Sequence, residues 1–188
     1  MRTTILCGIL ALGLLPFCAS RAEIQAQEGG VKLGAEHKAL QALAGVFDAE
    51  VKMYLAPGDK PNVSKGTMTR TMILNGHYLQ EAYEGEFFGS PFKGLGTIGF
   101  DQTQGKYVAT WIDTMSTGIG NQVGTYDATK KVYTFTGEEL DPTSKKKLKT
   151  RDVLTVVSAD VQNLQLFRQP EGGDEKKVMD ITLTRRKK

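Results

Sequence analysis

From position 47 to the C-terminus, the sequence is a succession of short segments in which apolar and polar residues alternate, separated by turn-forming residues. In the first segment, apolar residues at 47, 49, 51, 53 and 55 alternate with mostly charged neighbours, and APGDKPN at 56–62 then ends the run. Successive side chains of a strand point to opposite faces, so this alternation predicts a strand with one buried face. No crossover helix is indicated between the later segments, which favours an all-β, antiparallel fold.

Turn signals such as NGH, GSPFKG and DQTQGK divide this region into about ten strands. We predict them at residues 47–55, 63–74, 78–88, 94–101, 105–113, 117–127, 131–140, 147–158, 162–169 and 176–186. The Asn-Gly pair at 75–76 is typical of a tight hairpin turn. Closing such a meander into an up-and-down barrel removes its edge strands and leaves an interior that can hold a ligand. A two-sheet sandwich is the alternative.

The first 22 residues, MRTTILCGILALGLLPFCASRA, have the pattern of a secretory signal peptide. They combine an early arginine, an apolar run and small residues at Ser20 and Ala22, and we expect cleavage after Ala22 or, alternatively, after Ser20. The apolar run is shorter than the roughly 20 residues that cross a bilayer, so no stable membrane insertion of the mature chain is expected. The protein is therefore predicted to be exported, to the periplasm or the medium.

Removal of this segment changes the composition of the chain. Both cysteines, Cys7 and Cys18, lie in it, so the mature protein would have no thiol chemistry. The loss of Arg2 and Arg21 leaves 22 basic against 21 acidic residues, which argues against a nucleic-acid partner. Oligomeric state is left open.

The predicted domain follows a flexible lead at residues 23–34. The stretch AEHKALQALAGVF spaces Leu40, Leu43 and Phe47 three and four residues apart, which predicts one short amphipathic helix ending near Gly45. The barrel domain is thus placed at residues 35–187.

Residues 107–113, YVATWID, contain the only tryptophan of the chain. In a strand, Tyr107, Trp111 and Asp113 share one face. If that face is interior, the barrel has an aromatic wall with a carboxylate near its rim, a combination suited to ligand binding. Alternatively, Trp111 packs as core and Asp113 caps the following turn with its side chain.

A second candidate constellation lies in the predicted strand 78–88. Glu81 and Tyr83 share one of its faces, and a buried glutamate needs a partner. Arg70 on the preceding strand and Arg151 are the candidate partners, either at a ligand-anchoring site inside the barrel or in an ion pair on its outside.

Motifs for other chemistry are lacking. The two histidines, His37 and His77, are not in metal-ligand spacing, and no nucleophile elbow or phosphate loop occurs. The GLGTIG segment at 94–99 has the glycine spacing of a dinucleotide fingerprint but opens no helix, so close backbone approach in a curved strand explains it better. No catalytic residue, metal or cofactor is predicted.

Several segments in order, EHKALQALAGVF, NGHYLQEAYEG, GSPFKGLGTIGFD, KYVATWIDT, GTYD and MDITLTRRK, resemble the bacterial domain-of-unknown-function family 1579 over about residues 35–186. This resemblance implies a lipocalin-like, calycin-type barrel and no established activity. Where relatives usually have Gly-x-Trp after the helix, this chain has Gly45-Val46-Phe47, and the resemblance implies that Arg185 or Arg186 covers Phe47.

These observations favour an exported lipocalin-like protein that binds a small, largely apolar molecule. The predicted ligand-binding residues are Trp111, Asp113, Tyr107, Tyr83, Glu81, Arg70 and Arg151. The alternatives are an envelope interaction protein with a filled barrel and, less favoured, an enzyme that brings together Glu81, Tyr83, Asp113 or Arg151.

Overall fold

The structure is a computed structural model that describes residues 31–56, 58, 60–141 and 144–187. The signal segment at 1–22 and most of the lead at 23–34 lie outside the described residues. None of the helices in the described ranges is long and apolar enough to cross a bilayer.

One short helix precedes ten strands that close into a barrel. The elements are α1 (Ala35–Gln41), β1 (Gly45–Met53), β2 (Asn62–Ile73), β3 (Tyr78–Phe87), β4 (Ser90–Asp101), β5 (Lys106–Asp113), β6 (Gly120–Asp127), β7 (Val132–Leu140), β8 (Lys147–Val156), β9 (Val161–Pro170) and β10 (Lys176–Arg185). Every strand pairs antiparallel with its neighbours in the chain, and β1 also pairs with β10. The up-and-down barrel predicted from the alternation is confirmed, and the sandwich is not formed.

Strand boundaries differ most at the start of β4, which begins at Ser90 and not at residue 94. The turn before it has only two residues, Phe88 and Gly89, both with positive φ (50° and 77°), as a primed hairpin turn requires. Pro91 is tolerated because β5 pairs with β4 only from Gly94 onwards, so no strand on that side needs the missing N–H.

The helix lies at one end of the barrel and its apolar face closes that end. Leu40 and the following Leu43 are fully buried and form one cluster with Leu79 and Ile98. The hydroxyl of Tyr107 donates a hydrogen bond to the Glu36 carbonyl across 3.3 Å. The helix ends at Gln41 and not near Gly45, because Gly45 already starts β1.

A second cluster surrounds Phe47 at the start of β1. Phe47 is fully buried, and the guanidinium carbon of Arg185 lies 4.6 Å from its ring centroid. Arg185 also donates to the carbonyl of Ala44 over 2.8 Å, so the stacked arginine ties the end of β10 to the segment that follows the helix. The predicted cover of Phe47 is thus formed by Arg185, whereas Arg186 pairs with Asp48 at 2.7 Å.

Candidate functional site

The end of the barrel opposite α1, called the mouth below, is where the interior becomes accessible. On β5, Tyr107 is 3% exposed, whereas Trp111, on the same face four residues nearer the mouth, is half-buried. On β9, Gln162 is 1% exposed, whereas the side chain of Arg168 is 19% exposed. The lumen is therefore fully packed at the helix end, and side chains that line it become partly exposed towards the mouth.

Trp111 and Asp113 both face the lumen at the mouth, and they bond to each other. The indole N–H of Trp111 donates to Oδ2 of Asp113 across 3.1 Å. The other carboxylate oxygen accepts the backbone N–H of Met115 at 2.8 Å. Asp113 therefore caps the β5–β6 loop and also holds the orientation of the indole, while one side of the indole packs beside the cluster around Phe47.

The glycines of GLGTIG make room for this tryptophan. A Cβ at Gly94 would overlap the indole ring, and one at Gly96 would lie 3.0 Å from both Trp111 and the Glu81 carboxylate. Gly96 is also the register partner of Trp111 on the neighbouring strand. The indole therefore lies flat against the backbone of β4, as the interpretation of close backbone approach requires.

Glu81 lies inside the barrel, on the other side of Gly96 from Trp111 in register, with Arg70 as its partner. Nε and Nη2 of Arg70 each lie 2.7 Å from Oε1 of Glu81, and Nη1 of Arg70 binds the side-chain oxygen of Gln162 on the far wall. Gln162 in turn donates to the Leu43 carbonyl over 3.5 Å. The ion pair on the outside of the barrel is not formed, and a buried polar network spans the lumen instead.

Burial raises the pKa of three tyrosines in the interior. Desolvation raises the pKa of Tyr83, and it raises that of Tyr107 to about 12, with the nearby Glu36 as a smaller cause. Burial also raises the pKa of Tyr133, with smaller contributions from Tyr107 and Tyr126. The Tyr133 hydroxyl has no hydrogen-bond partner among the described residues.

Arg151 is placed differently from the prediction, on the outer face of β8. It donates to both carboxylate oxygens of Glu175 at 2.8 and 2.6 Å, and its guanidinium lies 3.9 Å above the ring centroid of Phe167. The hydrogen bonds from Arg151 lower the pKa of Glu175 and raise that of the arginine itself. Arg151 therefore does not meet Glu81, because adjacent residues of a strand face opposite sides and Asp152 takes the inward position.

Sequence reasoning missed a polar group of side chains on the lumen side of β6–β9, called the polar wall below: Gln122, Glu139, Asp152 and Arg168. Nη1 of Arg168 donates to Asp152 at 2.7 Å, and its Nε lies 3.2 Å from Glu139. Gln122 donates to the second oxygen of Asp152 over 2.9 Å. The sequence did contain a signal for this group, because its charged residues lie on the same strand face as buried residues. Asp152, for example, is two residues from the buried Thr150 and two from the buried Leu154.

Two depressions lie on the outside of the barrel. The larger, of about 470 Å³, lies over the outer face of β7 and β8 and includes Arg151, Glu138 and Lys149 in its lining. The smaller, of about 280 Å³, is lined from the ends of β7–β9 and the loop after β9. Some of their charged groups are engaged in ion pairs, Arg151 with Glu175 and Lys147 with Glu138. They are shallow surface features and not the lumen.

The four side chains considered for an enzyme, Glu81, Tyr83, Asp113 and Arg151, do not all meet. Glu81 is bonded to Arg70, Asp113 is bonded to Trp111, and Arg151 lies outside the lumen. Among the described residues, no group of three or more histidine, cysteine, aspartate or glutamate side chains is placed to hold a metal ion.

Comparison with known proteins agrees with the barrel. The pattern of a family described as "Protein of unknown function (DUF1579)" matches residues 32–185. The chain belongs to this family. A search of curated proteins gave no significant match.

The chain is similar in fold to solved structures. The crystal structure of Rv2717c from M. tuberculosis is 18% identical, with a TM-score of 0.60, and the match covers 83% of this chain and 100% of that one. A de novo designed fluorescence-activating β barrel is 13% identical, with a TM-score of 0.43 and coverage of 79% and 97%. The similarity to Rv2717c supports the fold of this family member and nothing further about its activity.

Proposed function

We propose that this DUF1579 protein binds a small, largely apolar molecule at the mouth of its barrel, as a carrier or sensor. The observation that carries the proposal is the change along the lumen from fully packed side chains at the helix end to half-buried ones at the mouth. A site of this kind combines apolar surface with a few polar groups that orient the ligand. Trp111 supplies the aromatic surface, and Asp113 holds it in place.

The predicted residues divide into two groups with different parts in this proposal. Trp111 lies at the mouth, where a ligand reaches it directly, and Asp113 positions it. Four others, Arg70, Glu81, Tyr83 and Tyr107, are buried and form the closed floor beneath the ligand. Arg151 has no part in binding. The ligand therefore occupies the outer half of the lumen only.

Export is also proposed, on the pattern of residues 1–22. Chemical sequencing of the purified extracytoplasmic protein is expected to begin at Glu23. Recovery of the intact N-terminus from the cytoplasmic fraction would refute export and leave the ligand proposal standing.

The ligand proposal is tested by blocking the mouth. Gly120 is the register partner of Trp111 and faces the same side, and a Cβ there meets only ordinary contacts at 3.5 Å and beyond. Gly120→Leu therefore puts a side chain beside the indole without forcing the backbone. Gly118→Leu is the matched control, because Gly118 lies in the exposed loop with nothing within 4 Å of its Cβ position.

Binding is measured by native mass spectrometry of the protein purified from an export-competent host, and by the fluorescence of Trp111 with uncharged lipophilic probes. We expect a bound small molecule and a probe-dependent change in the wild type and in Gly118→Leu, and the loss of both in Gly120→Leu. Equal binding by all three proteins would refute the site.

A filled barrel that acts through its outer surface is the second candidate. It is favoured by the two buried clusters that fill the interior, one of which extends to Trp111, and by the position of both depressions outside the lumen. A clean ligand-free mass together with fluorescence that no probe changes would support it over the carrier.

A further inference from the structure

The two walls of the mouth differ in chemistry. In the closed strand order, β9 lies four places from β5, which puts it on the far side of a ten-stranded barrel. Arg168 on β9 shares the inward face of the buried Gln162, so it points into the lumen across from Trp111. A molecule at the mouth therefore has the indole on one side and the polar wall on the other.

The polar wall carries more negative than positive charge. The guanidinium of Arg168 is engaged by two carboxylates, Asp152 at 2.7 Å and Glu139 at 3.2 Å. Asp152 is also bonded by Gln122, and its side chain is only 17% exposed. Glu139 is 42% exposed, so it is the carboxylate of this wall that a ligand meets first.

Other charged groups at the mouth do not reverse this balance. Asp113, on the aromatic side, adds a further carboxylate. Lys176 starts β10 opposite Arg168 in register and is exposed at the rim, where water and salt screen its charge. Lys177, the next residue, is paired with Asp180 at 2.9 Å.

We infer that the mouth selects molecules that combine an apolar body with a basic amine and disfavours those that carry a carboxylate. The inference rests on the proposed function and names its ligand class. An apolar body packs on the indole face, and an ammonium group at its other end is attracted by Glu139 on the polar wall. A ligand carboxylate meets Glu139 and Asp152 instead, and the cation of the polar wall, Arg168, already has two acidic partners.

The test compares three amphiphiles of equal chain length, a primary amine, an alcohol and a carboxylate, each below its critical micelle concentration and at neutral pH. Affinities are measured from Trp111 fluorescence on the wild type, on Glu139→Gln and on Glu138→Gln. Glu138 is the matched control because it is adjacent in sequence, carries the same charge and points to the outer face, where it pairs with Lys147.

We expect the amine to bind about tenfold more tightly than the carboxylate, as one partly screened charge pair allows. Glu139→Gln is expected to weaken amine binding about three- to tenfold and to leave alcohol binding unchanged, whereas Glu138→Gln changes neither. Added salt is expected to weaken binding of the amine only.

The outcomes separate this inference from the function on which it rests. If all three amphiphiles bind with similar affinity, or the carboxylate binds best, the amine selectivity is wrong while ligand binding stands. If Glu139→Gln weakens the amine no more than Glu138→Gln does, the role of the polar wall is wrong. If none of the three binds, both the inference and the proposed function fail.

Discussion

Replacing Arg70 by methionine tests whether the buried ion pair holds the barrel together. The side chain of Arg70 is 1% exposed and that of Glu81 is 11% exposed, and two guanidinium nitrogens lie 2.7 Å from the carboxylate. Methionine keeps most of the length of the arginine chain but removes its charge and its donors. Glu81 is then left inside the barrel without its cation, and Gln162 loses a donor.

The size of the effect follows from these burial values. Breaking a buried ion pair by removing one partner costs about 3–5 kcal/mol. This is a large part of the roughly 5–15 kcal/mol that stabilises a typical domain. With a urea dependence of about 2 kcal/mol per molar, the unfolding midpoint falls by roughly 1.5–2.5 M. The measurement is urea unfolding followed by fluorescence, which reports on Trp111 alone because the chain has one tryptophan.

The double variant Arg70→Met with Glu81→Leu is the control. Replacing a whole buried ion pair by apolar side chains is often neutral or stabilising, so most of the lost stability is expected to return. The reasoning is refuted if the single variant loses less than about 1 kcal/mol, or if the double variant is no more stable than the single one.

Three further predictions concern packing and titration inside the barrel. Gly94→Ala is expected to lower the free energy of unfolding in urea by about 1–3 kcal/mol and to shift the Trp111 emission, because the new methyl group overlaps the indole. Gly118→Ala, where the methyl group lies in open space, is expected to change neither. An unshifted emission in Gly94→Ala would contradict the packing. Tyr133→Phe is expected to keep or slightly raise the unfolding free energy, since it removes a buried hydroxyl with no partner among the described residues, and a loss above about 1 kcal/mol would show that this hydroxyl is bonded. Because burial raises the pKa of Tyr107 to about 12, the folded protein binds this proton more tightly than the unfolded chain, so the stabilisation is full below about pH 10 and is lost as pH rises towards 12. The measurement is the free energy of unfolding of the wild type and of Tyr107→Phe at increasing pH. If it falls as steeply between about pH 10 and 12 in the variant as in the wild type, the prediction is wrong.

Much of the fold was predictable because a strand has a strict period of two. The alternation in residues 47–55 and the Asn-Gly pair at 75–76 are local signals that need no knowledge of a distant contact. The hairpin between β2 and β3 is formed, although its loop has four residues, 74–77, and is not the tight Asn-Gly turn that was predicted. The start of β4 was missed for a physical reason. GSPFKG reads as a turn, but Phe88 and Gly89 alone make the turn, and Pro91 is accepted where no neighbouring strand needs its N–H.

The candidate site was predictable only in part. Trp111 and Asp113 were singled out because they share a strand face. The sequence left open whether they line the interior or whether Asp113 caps a turn, and in the structure the pair lines the mouth while Asp113 also caps the loop. Arg151 was misplaced because a strand pattern rich in charge does not reveal which face is inward.

The sequence by itself determined that the chain forms about ten antiparallel strands in succession, because alternation and turn chemistry act between near neighbours. Closure into a barrel and not a sandwich was decided by the tertiary structure. Only the tertiary structure decided which face of each strand turns inward and which side chains meet across the lumen. Arg70 reaches Gln162 from a position 92 residues away, and the polar wall assembles from four separate strands. Such contacts depend on how the sheet closes and twists, and no local pattern in the chain encodes the distance between two side chains on opposite walls.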